Sequence, residues 1–320
     1  MNGKVMVTGG GGFIGSAMVK MLLKKKFQVK AFDLPDQFNL NPAPKDAEIY
    51  KGSILDANDL MKSMRGCDYV IHLAAALGVK RTESERLSCL TINIQGFVNV
   101  LEACIRDNVK KIIFSSSSEV YGDQKKLPIT ENNPVNPKSI YAITKLAGEE
   151  YLRAYKQRYG LDYSIVRFFN VYGPNQVAEF VMPRFINCVM NDVSPTIYGK
   201  GNQIRAFCYV NDAVEGALLT LMNKKANSEI FNIGNTKEPI AMKDLALKII
   251  KISKRDIKPT FIPLKKSDRK EEREIHERIP DTSKAEKVLG YNPKISLEEG
   301  IFNVIKSGKI PESWADPRKL

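Results

Sequence analysis

The sequence predicts an α/β fold in which a doubly wound parallel sheet, with helices on both faces, is joined to a smaller mixed α/β lobe. Short apolar runs alternate with helical stretches up to about residue 167. After Asn170, prolines divide the chain into short segments with two or three helices, which is typical of a separate C-terminal lobe. The predicted domains are residues 1–169 with 207–233 for the sheet and residues 170–206 with 234–320 for the second lobe.

The elements of the sheet domain follow from the apolar pattern in chain order. Apolar runs predict strands at residues 4–8, 29–32, 69–73, 111–115 and 163–167. Helical periodicity begins at Ala17 and returns at residues 56–65, 91–107 and 140–159. Strands that alternate with helices form parallel pairs through right-handed crossovers, so the predicted sheet is parallel.

The turn after the first strand carries Gly9, Gly12 and Gly15 at the spacing of a dinucleotide-binding loop. The first glycine permits a tight turn, the second lets a pyrophosphate approach the backbone, and the third lets helix and strand pack closely. Asp33 follows the second strand, 18 residues past Gly15, where an acid accepts the adenosine ribose hydroxyls. We therefore predict a Rossmann domain that binds NAD. Lys30 is close enough in sequence to leave NADP as an alternative.

Tyr141 and Lys145 are four residues apart, which places them on one face if the segment is helical. A phenol of pKa about 10 is a poor base at neutral pH, and a neighbouring ammonium lowers that pKa. The tyrosine can then exchange a proton with a substrate alcohol. Together with the glycine loop, this pair predicts redox chemistry.

Composition and charge narrow the class of protein. The 320 residues are 43% hydrophobic and 27% charged, and no apolar run approaches the roughly 20 residues that span a bilayer. The N-terminus enters a strand directly, so we expect a cytoplasmic protein with no membrane contact. The net charge of +13 is dispersed: residues 24–26 end a helix and residues 265–273 mix both signs, which indicates an anionic substrate and no nucleic acid. Five cysteines without a CxxC pair and two histidines predict no metal site.

Further motifs occur at residues 52–56, 72–75, 115–122 and 167–174. With the glycine loop and the Tyr141–Lys145 pair, they resemble the extended short-chain dehydrogenases/reductases that modify nucleotide sugars, over nearly the whole chain. The resemblance implies an NAD-dependent nucleotide-sugar epimerase/dehydratase. In that family, oxidation at sugar carbon 4 produces a transient 4-keto intermediate.

The resemblance also implies a role for individual residues. The catalytic residues would be Ser117, Glu119, Tyr141 and Lys145, with Ser117 bonding the oxygen at carbon 4. The cofactor-binding residues would be Gly9, Gly12, Phe13, Ile14, Gly15, Asp33, Ser53, Ile54, Leu73, Ala74, Ala75, Tyr141, Lys145 and Phe168. The substrate-binding residues would be Ser117, Ser118, Asn170, Arg205 and Arg278, of which Asn170 and the two arginines would hold the diphosphate.

The fate of the 4-keto intermediate stays open among three reactions. A 4-epimerase is favoured, because that is the commonest assignment among similar sequences. Glu119 resembles the base of 4,6-dehydratases, and Ser118-Glu119 with an Arg-x-Pro motif resembles UDP-glucuronate decarboxylases. A binding protein that keeps NAD without turnover is a more remote alternative. The resemblance further implies a homodimer formed through the helices at residues 91–107 and 140–159.

Overall fold

The computed structural model describes residues 3–263 and 275–311, so the charged run at residues 265–273 lies outside the described residues. The strands are β1 (Lys4–Thr8), β2 (Gln28–Asp33), β3 (Glu48–Lys51), β4 (Tyr69–His72), β5 (Lys111–Ser117), β6 (Asp162–Phe168), β7 (Val171–Tyr172), β8 (Thr196–Tyr198), β9 (Ile204–Ala206), β10 (Cys208–Tyr209), β11 (Glu229–Ile233), β12 (Pro239–Ala241), β13 (Thr260–Ile262) and β14 (Glu277–Arg278).

The α-helices are α1 (Phe13–Lys24), α2 (Pro35–Leu40), α3 (Ala57–Met64), α4 (Val79–Ser84), α5 (Arg86–Leu90), α6 (Gly96–Arg106), α7 (Ile140–Tyr159), α8 (Val181–Met190), α9 (Val210–Met222), α10 (Met242–Ser253), α11 (Ser283–Leu289) and α12 (Leu297–Ser307). A π-helical turn, Thr91–Gln95, joins α5 to α6. Short 3₁₀ turns cover Ser118–Tyr121 and Lys224–Ala226.

Within residues 3–263 and 275–311, the main sheet has seven strands in the order β11-β6-β5-β4-β1-β2-β3. Every neighbouring pair in it is parallel. The chain runs outward from β1 to β3, returns to β4, and then runs outward the other way, which is the doubly wound arrangement. The predicted fold class is confirmed. Strands β3 and β11 at the two edges were not predicted.

Alternate residues of β1 pack into two separate cores, one on each face of the sheet. Val5 and Val7 face the core that α1 and α9 cover, and Met6 faces the core that α3, α6 and α7 cover. Because successive side chains of a strand point to opposite faces, a strand covered on both sides reads as a continuous apolar run. The helices fix the sheet, and the carboxyl ends of its strands meet at one edge.

The second lobe combines small sheets with helices. Strands β12, β9 and β14 form one sheet, β13 pairs with β8, and helices α8, α10 and α12 contact each other. Strand β11 belongs to the main sheet, although it lies between segments that form the smaller lobe. The domain boundaries predicted above remain a prediction.

One helical stretch of the sheet domain is unusually apolar. Residues Arg86–Arg106 are long and apolar enough to cross a membrane, contrary to the expectation that no run approaches that length. In the structure 44% of the apolar 18-residue window in this stretch is buried inside the protein, and α6 packs against α3 and α7. The core helix of a globular protein passes the same test of length and composition.

Candidate active site

The glycine loop forms the floor of a cleft at the carboxyl ends of β1, β2 and β4. A Cβ atom on Gly15 would lie 1.8 Å from the carbonyl oxygen of Gly9. Gly9 itself has φ +74°, and a Cβ atom there would lie 2.7 Å from the backbone nitrogen of Ala74. Gly12 caps α1 without a side-chain oxygen, and the first turn carries no acidic residue. The partial positive charge of this helix end is therefore available to a pyrophosphate, so the loop fits a dinucleotide.

Asp33 lies at the end of β2 and lines the same cleft. Its carboxylate accepts hydrogen bonds from the backbone N–H groups of Gly11 (2.9 Å) and Leu34 (2.8 Å). Burial raises the pKa of Asp33 to about 6, and the backbone bonds oppose that rise only in part. A partly buried carboxylate at this place suits ribose hydroxyls, which can donate to it, and disfavours a second anion.

Lys30 takes no part in the cleft. Its Nζ donates to the carbonyl oxygens of Ser63 (3.0 Å) and Arg65 (2.8 Å), at the C-terminal end of α3. The side chain is buried there and compensates the negative end of the helix dipole. Because the Lys30 ammonium binds these carbonyl groups, it is not placed to bind the 2′-phosphate of NADP. The reason for keeping NADP as an alternative therefore no longer applies.

The cleft brings together nearly all the predicted cofactor-binding residues. Phe168 is the exception: it is buried among apolar side chains of the core beneath α1 and α9. Among residues 3–263 and 275–311, no group of three His, Cys, Asp or Glu side chains is placed to hold a metal ion. The predicted residues that line the cleft are Gly9, Gly12, Phe13, Ile14, Gly15, Asp33, Ser53, Ile54, Leu73, Ala74, Ala75, Tyr141 and Lys145.

Two capped turns bring Ser117 and Tyr141 together. Ser117 ends β5, and its Oγ accepts a hydrogen bond from the backbone N–H of Glu119 (3.1 Å). Ser139 caps α7 by accepting from Ala142 N (3.1 Å), which places Tyr141 in the first turn of that helix. The Ser117 side chain acts on the Tyr141 phenol and opposes, in part, the effect of burial on its pKa. The two side chains therefore lie close enough together to contact one substrate alcohol.

Lys145 lies one helical turn after Tyr141 and is buried. Its Nζ is 5.6 Å from the centroid of the Tyr141 ring and 5.0 Å from that of Phe114. Burial raises the pKa of Tyr141 well above its ordinary value, and the charge of Glu119 raises it further. Burial lowers the pKa of Lys145 to about 8. The predicted lowering of the Tyr141 pKa by Lys145 is thus wrong for the protein alone, because desolvation outweighs the ammonium at this distance.

Glu119 lies between the two lobes. Its Oε2 accepts a hydrogen bond from Ser139 Oγ (3.0 Å), and its Oε1 lies 3.9 Å from Nη1 of Arg278 on β14. The side chain of Glu119 is 30% exposed and that of Arg278 is 11% exposed. The pairing places a guanidinium beside the carboxylate that accepts a hydrogen bond from Ser139, the N-cap residue of α7, two residues before Tyr141.

Arg205, another predicted substrate-binding residue, is hydrogen-bonded to backbone carbonyl groups. The guanidinium of Arg205 donates to the carbonyl oxygens of Ile204 (2.8 Å), Ile275 (2.7 Å) and His276 (3.2 Å). Arg205 therefore fastens β9 to the segment that leads into β14. Its predicted contact with a diphosphate stays a prediction.

The two remaining predicted substrate contacts are Asn170, between β6 and β7, and Ser118. Asn170 adopts a left-handed conformation with φ +38°, and its Nδ2 donates to the carbonyl of Ala206 (3.0 Å). Ser118 begins the 3₁₀ turn after Ser117 and is buried. Neither residue lines the cofactor part of the cleft, and their substrate contacts also stay predictions.

Asn93 is a residue that the sequence did not single out. It lies in the π-helical turn, where its Oδ1 accepts from Ala76 N (2.7 Å) and its Nδ2 donates to Ala76 O (3.0 Å) and Thr144 Oγ1 (3.0 Å). These bonds fasten the cleft loop after β4 to α7, next to Lys145. The only signal in the sequence was an asparagine inside a helical pattern, since its amide competes with the helix for backbone groups.

A family model described as the NAD-dependent epimerase/dehydratase family matches residues 5–234 of the chain. The chain belongs to this family. The assignment made from the sequence is confirmed, and so is NAD as the cofactor. The family consists of enzymes, and the Gly9–Gly15 loop with Asp33 is where this member would hold its cofactor.

Individual relatives extend the match over almost the whole chain. A putative UDP-glucose 4-epimerase of Methanocaldococcus jannaschii is 36% identical over 306 residues, covering 94% of this chain and 97% of the relative. A UDP-N-acetyl-α-D-glucosaminuronate decarboxylase of Bacillus cytotoxicus is 33% identical over 321 residues, covering 96% and 98%. The crystal structure of UDP-glucose 4-epimerase from Thermotoga maritima with UDP-glucose has a TM-score of 0.85 at 33% identity, covering 95% of this chain and 97% of that one.

Proposed function

We propose that the protein is a 4-epimerase of nucleoside-diphosphate sugars. The observation that carries the proposal is that Tyr141 and the buried Lys145 line the cleft of the glycine loop and Asp33, while the turn after Ser117 is bonded to the start of α7 through Glu119 and Ser139. The neighbouring hydroxyls of Ser117 and Tyr141 suit a secondary alcohol, which both donates and accepts a hydrogen bond.

Each side chain has a defined task in this proposal. Ser117 orients the hydroxyl at sugar carbon 4, and Tyr141 accepts its proton and later returns it. Lys145 supports the phenolate form of Tyr141 with its charge. Bound NAD supplies a reversible hydride acceptor, and its positive charge also favours the phenolate. Epimerisation requires the 4-keto sugar to turn its other face to the hydride donor and the same tyrosine to return its proton to the carbon 4 oxygen, so one acid/base residue is sufficient.

The surroundings of Glu119 favour epimerisation over dehydration. A dehydratase needs a free carboxylate to remove the proton at carbon 5, whereas Glu119 accepts from Ser139 and pairs with Arg278. A 4-epimerase needs nothing from this carboxylate. The names of the Methanocaldococcus jannaschii and Thermotoga maritima relatives support the same reaction.

One observation favours a second candidate, decarboxylation of a nucleotide-linked uronic acid. Arg278 places its guanidinium near Glu119 and therefore near the catalytic end of the cleft. A guanidinium there matches a sugar carboxylate as well as it matches a phosphate. The Bacillus cytotoxicus relative is named for a reaction of this class.

The experiment is to incubate the NAD-loaded protein with UDP, GDP, CDP and dTDP sugars, including uronates, and to record product mass and solvent deuterium. We expect a product that separates from the substrate by chromatography, has the same mass and contains no solvent deuterium. A product lighter by carbon dioxide would replace the proposal with the second candidate, and one lighter by water would replace it with dehydration. Glu119→Gln should leave the epimerisation rate within a few-fold of wild type, whereas a dehydratase would lose product.

We also propose that the protein is a cytoplasmic homodimer, assembled through α6 and α7. Large apolar side chains are exposed on α7, at Ile143 (44%) and Tyr151 (37%), and on α5, the helix before α6, at Leu87 (77%). Pairing these helices across a two-fold axis would bury them in a four-helix contact. Ile143→Asp should shift the protein to a monomer in sedimentation equilibrium, while Leu247→Asp, at an exposed site on α10, should not.

A further inference from the structure

A network of buried polar groups connects the 3₁₀ turn Ser118–Tyr121, the catalytic turn that follows Ser117, to the segment after β14, the strand that carries Arg278. Tyr121 ends the 3₁₀ turn that begins after Ser117, and its hydroxyl donates to Asn232 Oδ1 (2.7 Å). Asn232, on β11, donates through Nδ2 to the carbonyl oxygens of Ile129 (2.9 Å) and Asp281 (3.4 Å). Tyr121, Asn232 and Ile129 are each 0% exposed. Groups buried to this extent have no water with which to exchange these bonds.

At Ile129, the end of the network away from Tyr121, backbone hydrogen bonds hold the segment after β14 against the sheet domain. The backbone N–H of Ile129 donates to Ile279 O (2.8 Å), and that of Asp281 donates to Ile129 O (2.7 Å). Arg278 directly precedes this docked segment and reaches back to Glu119. The position of Arg278 across the cleft therefore depends on where residues 279–281 are held.

Tyr121, at the other end of the network, is also held in place. The ring of Tyr121 lies under the guanidinium of Arg167, 4.7 Å from its carbon to the ring centroid. Arg167 in turn forms a two-point ion pair with Glu149, at 2.9 and 2.6 Å. With its ring clamped on one side and its hydroxyl bonded on the other, Tyr121 has a single position. The turn from Ser117 to Tyr121 is thereby fixed relative to β11.

We propose that Tyr121 and Asn232 are positioning residues that set the distance between the catalytic turn and Arg278. The 3₁₀ turn is then held at two points: Glu119 by its ion pair with Arg278, and Tyr121 by Asn232 of the main sheet, whose amide also donates to Asp281 O. Hydrogen bonds between fully buried partners define geometry more sharply than apolar contacts, because a shifted partner leaves a polar group unsatisfied. This proposal rests on the proposed function, because it treats Arg278 as a residue that contacts the nucleotide sugar.

The first arm of the test is a double-mutant cycle on the NAD-loaded protein, with UDP-glucose binding measured by calorimetry. Tyr121→Phe keeps the ring and removes the hydroxyl, so the affinity should fall about threefold to tenfold, the worth of one hydrogen bond. In an Arg278→Ala background the same change should have no further effect. Multiplicative effects, or an Arg278→Ala protein that binds as wild type does, would overturn the proposal.

The second arm uses no ligand and therefore separates this proposal from the proposed function. Amide hydrogen exchange is followed at Glu119 and Asp281. Their N–H groups are hydrogen-bonded at the two ends of the buried network, to Ser117 Oγ and to Ile129 O. Tyr121→Phe and Asn232→Ala should each accelerate exchange at both amides by about tenfold. Tyr172→Phe is the matched control, since Tyr172 is equally buried but its hydroxyl bonds Leu297 O. Acceleration at one amide only, or none, overturns the proposal. Failure of wild type to bind any nucleotide sugar would overturn the function alone.

Discussion

Replacing Glu149 by glutamine should destabilise the protein far more than the same change at Glu150. Glu149 is 0% exposed and pairs with Arg167, which is 3% exposed, and it also accepts from Ser116 Oγ at 2.6 Å. Glutamine keeps the shape but leaves a buried guanidinium without its counter-charge, which costs about 3–5 kcal/mol. Glu150, the next residue on α7, pairs with Arg153 at the surface, where such pairs contribute about 0–1 kcal/mol.

Urea unfolding followed by circular dichroism measures the difference directly. Across 320 residues, an unfolding entropy of about 2.1 cal/mol/K per residue converts the loss into a Tm lower by about 4–7 °C. Glu150→Gln should change the free energy of unfolding by less than about 1 kcal/mol. A Glu149→Gln protein as stable as Glu150→Gln would show that Arg167 finds another partner or water, and would refute the account of this buried pair.

Three further predictions concern the cofactor. Gly15→Ala should weaken NAD binding at least about tenfold, some 1.4 kcal/mol, because its Cβ would lie 1.8 Å from Gly9 O; unchanged calorimetric affinity would contradict the loop geometry. The pKa of Asp33 is raised to about 6, so its carboxylate is mostly protonated at pH 5. NAD affinity should therefore fall by up to about tenfold from pH 7 to pH 5, and Asp33→Asn should abolish this dependence; a flat profile in wild type would contradict it. Lys30→Met should leave the preference for NAD over NADP unchanged, because its ammonium binds Ser63 O and Arg65 O; a switch would place Lys30 in the cleft.

The sequence predicted the centre of the sheet and missed its edges for a physical reason. The central strands read as apolar runs because helices cover both of their faces. Strand β3 has mostly exposed residues, and β11 pairs with β6 from more than 60 residues away along the chain. Such strands are defined by their neighbours more than by their own composition.

In the site too, features that depend on local sequence were predicted, whereas features that depend on long-range contacts were not. The glycine spacing and the four-residue step from Tyr141 to Lys145 are local, so the sequence alone indicates them. The contacts of Glu119 with Ser139 and Arg278 join three elements, and no spacing rule connects them. The effect of burial on the pKa of Tyr141 also depends on surrounding residues that only the fold brings together.

Tyr141→Phe tests the central claim, that the hydroxyl of Tyr141 moves the proton of a substrate alcohol. The ring and its packing remain, so the protein should retain NAD with wild-type affinity. Turnover of the nucleotide sugar that wild type converts should fall by about 10²–10⁴-fold. Tyr159→Phe, at an exposed position on the same helix, should retain full activity. The decisive measurement is therefore the single-turnover rate of the NAD-loaded Tyr141→Phe protein: a loss of at least about 100-fold is predicted, and a rate within a few-fold of wild type would contradict the account.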